Sequence, residues 1–161
     1  MLPNPAELLL NHREALKQEW HRRLRVEPPA TSLGMPDILI YRMDDTLQQV
    51  DALLRDARSG DWPEQLPPPL GELRAACCCG RNPLTDYFVV GGAAIGVVLP
   101  PMSARDGTRI EQAWYLVAQR EIALLCTICR RYGVAADPSG SPKSMPRFTT
   151  RSHLEEPWRS R

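Results

Sequence analysis

The sequence predicts an all-α fold: a bundle of four long or medium helices and one short helix, followed by a proline-rich, disordered C-terminal tail. Three observations lead there. Apolar residues recur at helical spacing in four stretches. The 16 prolines fall in clusters between those stretches rather than inside them. Only one stretch offers an alternative reading as β-strands. A chain of 161 residues with 43% hydrophobic content suits a single domain with one core. The domain is expected over residues 1–133 and the tail over 134–161.

The first element starts at Asn4-Pro5, where a short polar side chain can cap free amides and proline suits the first helical turn. Leu9, Leu16, Trp20 and Leu24 then hold one face of a helix expected to end before Pro28-Pro29, with Arg13, Lys17 and Arg22 to Arg25 toward solvent. A second helix is predicted from about Pro36 to Arg58, with Ile38, Tyr41, Met43, Leu47, Val50 and Leu54 as its stripe. Asp37, Asp44, Asp45 and Asp51 favour its N-terminal end through the helix dipole, and Gly60 closes it. The segment Trp62 to Pro69 reads as an extended connector, and Leu70 to Cys79 as a short helix closed by Gly80.

Asn82-Pro83 repeats the starting signal of Asn4-Pro5, and Leu84, Phe88, Gly91, Ile95 and Leu99 keep helical spacing after it. The same residues also read as a hairpin, Tyr87 to Val90 and Ala93 to Leu99 joined by a Gly91-Gly92 turn. An isolated hairpin would have no sheet to join, which favours the helix. In a helix, Gly92 and Gly96 would let a neighbouring helix approach closely, at about 1 kcal/mol each in lost propensity. Pro100-Pro101 ends the element. A last, long helix is expected from a cap at Asp106 to Arg131 or Tyr132, with Ile110, Trp114, Val117, Leu124, Leu125, Ile128 and Tyr132 as its stripe and Glu121 in the middle of it. Beyond Gly133, prolines at 138, 142, 146 and 157 among Ser, Thr and Arg show no periodicity, and the segment carries a net charge of +2.

Composition narrows the function classes. Twenty basic and nineteen acidic residues leave a net charge of +1, so no global field points to nucleic acid or an anionic membrane. The chargeless run Tyr87 to Leu99 spans about 13 residues, short of the roughly 20 that cross a bilayer. Five cysteines, three of them consecutive, and no secretory signal pattern lead to the expectation of a reducing cytoplasm. There is no GxSxG, no phosphate-cradling glycine loop and no carboxylate pair beside a histidine, and His12, His21 and His153 form no metal spacing. The expectation is therefore a protein that is not an enzyme, and no cofactor is indicated.

Two sets of residues are candidates for chemistry. Cys77, Cys78, Cys79, Cys126 and Cys129 are redox or metal candidates, although three adjacent thiols cannot all point one way and a CxxC within a long helix is not a zinc knuckle. Angular counting puts Cys126 nearly opposite the apolar stripe and Cys129 at its margin. Small structural hydrophobes are the plainer reading of all five. Arg81, Tyr87, Trp114 and Glu121 are the candidate ligand or partner contacts. Glu121 on a buried seam would need a cation, for which Arg81, Arg74 or Arg120 are the candidates; a slight rotation of the helix would instead bring it to solvent.

The order of Trp20 near the end of a first helix, Leu53-Leu54-Arg55 ending a second, and Cys79-Gly80-Arg81-Asn82-Pro83-Leu84 before Tyr87-Phe88 and Gly91 resembles the RsbRD-type N-terminal sensory domains. These helical domains stand before signalling modules in bacterial RsbR-like regulators, and the likeness covers about residues 5 to 132. It implies an all-α, dimeric, non-enzymatic module that receives a signal or binds a partner. No anti-sigma-antagonist-like domain is expected after it, the proline-rich tail standing in that place, so transmission is expected to go through a separate protein; the expected partners are a homo-oligomer or a separate signalling protein.

Overall fold

The structure, a computed structural model, describes residues 4–26, 39–56, 72 and 82–131. These form five α-helices and a short 3₁₀ turn, with no strand among the described residues: α1 (Pro5–Asn11), α2 (Arg13–Val26), the turn Ile40–Arg42, α3 (Met43–Asp56), α4 (Pro83–Val98) and α5 (Ala104–Arg131). The predicted short helix Leu70 to Cys79, apart from Glu72, and the predicted tail lie outside the described residues.

The predicted start of the first helix is where it was placed. Asn4 Oδ1 accepts the Glu7 amide at 2.9 Å, and the Glu7 carboxylate accepts the Asn4 amide in return at 3.4 Å, a reciprocal capping box. The expected single helix is broken at His12 into α1 and α2, where the backbone reaches φ −105° and ψ 8°. The His12 ring Nδ1 donates to the Leu8 carbonyl at 2.9 Å, the same acceptor its own amide uses at 3.3 Å, so side chain and backbone share one carbonyl at the break. The Leu16 amide still bonds the His12 carbonyl at 2.9 Å, so the apolar face crosses the bend intact, with Leu9, Leu16, Trp20 and Leu24 all buried.

Residues 39–56 are helical throughout, the 3₁₀ turn leading into α3, and the predicted start near Pro36 lies outside the described residues. Met43, Leu47, Val50 and Leu54 are buried as predicted, but Tyr41 is 86% exposed, and Leu39 takes the inward position instead. The turn over 40–42 winds at three residues per turn, so a count made at 3.6 from Ile38 loses phase before α3 starts. Ile38 itself lies outside the described residues. α1 packs on α3, and at the start of α2 Arg13 and Lys17 meet Asp44 at 2.6 and 3.0 Å.

The stretch from Tyr87 to Val98 is helix, not hairpin. Leu84, Phe88, Ile95 and Leu99 are buried at the predicted spacing. Gly91 permits close approach inside the molecule: an added Cβ would lie 2.6 Å from Trp114 Cζ2 and 2.6 Å from Trp20 Cε2. Four rings from three helices gather there. Trp20 of α2 lies 4.4 Å from Tyr87 and 5.1 Å from Trp114, centroid to centroid, and Phe88 lies 5.1 Å from Tyr87 and 5.5 Å from Trp114. The indole of Trp20 donates to the Tyr87 carbonyl and that of Trp114 to the Phe88 carbonyl, each at 3.0 Å. α2 thus packs on α4, α4 on α5, and α5 on α3 in turn, with α1 closing the ring against α3 and α5.

α5 starts at Ala104, capped by Ser103 rather than Asp106. Ser103 Oγ accepts the Asp106 amide at 3.1 Å and donates to the Asp106 carboxylate at 2.6 Å, so the aspartate occupies the third helical position. The helix runs to Arg131 as expected.

Two predictions follow from this packing. Gly91→Ala forces a methyl group into both indoles and is expected to lower stability by about 1–3 kcal/mol, read as a lower urea midpoint; a variant as stable as the parent would contradict the contact. At the surface, hydrogen bonds first from Lys17 and then from Arg13 hold the Asp44 carboxyl below its ordinary value, and the same bond raises Lys17. A lowered carboxylate contributes stability above its unfolded pKa and loses it as pH falls through the folded value. Asp44→Asn is therefore expected to cost less than about 1 kcal/mol at neutral pH, with the difference closing below about pH 4, as urea titrations at both pH values would show.

Candidate functional site

The helices place a polar seam beside the aromatic core, where the turn and α3 meet α5. Glu121 projects inward from the middle of α5 and is 8% exposed. Arg42 Nη2 donates to Glu121 Oε2 at 2.6 Å. Gln49, two turns further along on α3, donates from Nε2 to Glu121 Oε1 at 3.4 Å and to Asp45 Oδ2 at 3.3 Å. The Tyr87 hydroxyl, on α4, shares a hydrogen bond of 3.0 Å with Thr46 Oγ1. Burial pushes the Tyr87 phenol well above its ordinary range, with the bond to Thr46 opposing only part of the rise, so the ring stays neutral.

The carboxylate expected on the apolar seam is therefore inward and paired, and its described partner is Arg42, which lies 79 residues away and was not among the candidate cations. Arg81 and Arg74 lie outside the described residues, while Arg120 is exposed. The Arg42 side chain is 42% exposed against 10% for Glu121, so the pair sits at the edge of the core with the cation toward solvent. Arg42 Nε and Gln49 Oε1 are both withdrawn from solvent without a hydrogen-bond partner. Tyr87 and Trp114, also candidate contacts, are 0% and 1% exposed, so in this arrangement both are enclosed within the bundle rather than presented at its surface.

The cysteines divide differently from the angular count. Cys126 is buried at 6% exposure, whereas Leu124, counted in the stripe, is 58% exposed. The buried face of α5 migrates along the helix, from Ile110, Trp114 and Val117 to Ala118, Ile122 and Cys126. The second half packs against the start of α4, where Asn82 donates from Nδ2 to the Ile122 carbonyl at 3.0 Å and to Cys126 Sγ at 3.3 Å. The same Asn82 caps α4, accepting the Leu84 amide at 3.0 Å. Cys77, Cys78 and Cys79 lie outside the described residues, as does the side chain of Cys129. Among the described residues no group of three or more His, Cys, Asp or Glu side chains could hold a metal ion.

A shallow cleft of about 80 Å³ lies between α1 and α3, over Leu9 and Leu47 and rimmed by Leu10, Arg13, Gln48 and Asp51. Periodicity reveals the inward face that forms its floor. Its position depends on how two helices are juxtaposed, which no local pattern encodes.

Comparison with family models, with curated proteins and with solved structures returned no match. No described helix is long and apolar enough to cross a membrane.

Arg42→Ala would leave the Glu121 carboxylate nearly buried without its cation, and is expected to cost about 1–3 kcal/mol. Adding Glu121→Gln should recover part of that loss; a double-mutant cycle by urea denaturation reads the coupling, and strictly additive losses would show that the two groups do not interact. For the thiol, a variant with serine at positions 77, 78, 79 and 129 is expected to react with a thiol reagent only as fast as it opens. Immediate labelling of native Cys126 would contradict its burial.

Proposed function

We propose that this chain is a cytoplasmic, non-enzymatic sensory or interaction module of a bacterial regulatory system, acting as a homodimer through the outward face of α4. The observation that carries the reading is Gly96. A Cβ added there meets nothing within 4 Å, so no contact among the described residues calls for a glycine that costs about 1 kcal/mol of helix propensity. Its neighbours Ala93 and Val97 are exposed, Val97 by 63%, and the run Tyr87 to Leu99 carries no charge. An open, uncharged face of small residues suits a second helix at close range.

A second copy is the occupant that this face fits, because an uncharged surface pairs with its own image without opposing charges, and a two-fold contact uses the same patch twice. The resemblance of Cys79 to Leu84 to RsbRD-type sensory domains supports the same class. Signalling would then consist of a ligand or separate partner protein binding one helix arrangement better than another.

Size-exclusion chromatography with light scattering at several concentrations tests the reading. The parent is expected to be dimeric. Gly96→Arg, at a position where a Cβ meets no described atom, is expected to be monomeric with unchanged helical circular dichroism. A parent that stays monomeric at every concentration, or a Gly96→Arg variant that stays dimeric, overturns the proposed contact.

A further inference from the structure

We draw no further inference here: the strongest candidate, the Arg42–Gln49–Glu121 side-chain cluster on the seam between α3 and α5, belongs to the site already described, and nothing in the structure shows which ligand its two unpartnered atoms, Arg42 Nε and Gln49 Oε1, would take.

Discussion

Two indole N–H groups reaching the backbone of α4 are the constraint on which the rest of the bundle depends. The carbonyls of Tyr87 and Phe88 belong to the helical ladder, yet each also accepts a tryptophan donor at 3.0 Å. A carbonyl has two lone pairs, so a second donor is admissible wherever it can approach. Gly91 makes the approach possible, since the space of its absent side chain is occupied by both indoles. Each buried N–H is thereby satisfied at the place where the rings pack most closely, and a net gain of about 1 kcal/mol per bond is added to the burial of two large side chains. α2 and α5 are located by the same short segment of α4, which explains why an almost chargeless helix can serve as the centre of a bundle.

The polar seam lies one layer away from that core and obeys a different logic. A nearly buried carboxylate gains little from its arginine once the cost of desolvation is counted, but removing the arginine leaves a charge with no compensation. The asymmetry ties the turn before α3 to the middle of α5, because displacing either would separate Arg42 from Glu121. Tyr87 connects the two layers: its ring packs in the aromatic cluster and its hydroxyl reaches Thr46 on α3.

Much of this was legible residue by residue. The two Asn-Pro starts, the inward faces Leu9-Leu16-Trp20-Leu24 and Leu84-Phe88-Ile95-Leu99, and the end of α5 all follow from local rules of capping and periodicity. The misplacements have local causes too. Ser103 and Asp106 can each act as a cap, and a serine that bonds the amide three residues on outcompetes an aspartate that would forgo the first turn. Tyr41 falls outward because the 3₁₀ turn before α3 does not keep the 3.6-residue period of the stripe. Cys126 lies inward because α5 changes neighbours halfway, so a single stripe does not describe its whole length.

By itself, the sequence determined that the described residues are helical, where α1 and α4 begin and α5 ends, and which side of α1, α2, α4 and the body of α3 is apolar, because these depend on interactions within four or five residues. Only the tertiary structure decided that Gly91 is a seat for two indoles, that Asn82 spans from one helix cap to the neighbouring helix, and that Glu121 meets Arg42. Those are contacts between residues far apart in sequence, set by which helices lie side by side, and no spacing rule along a single helix carries that information.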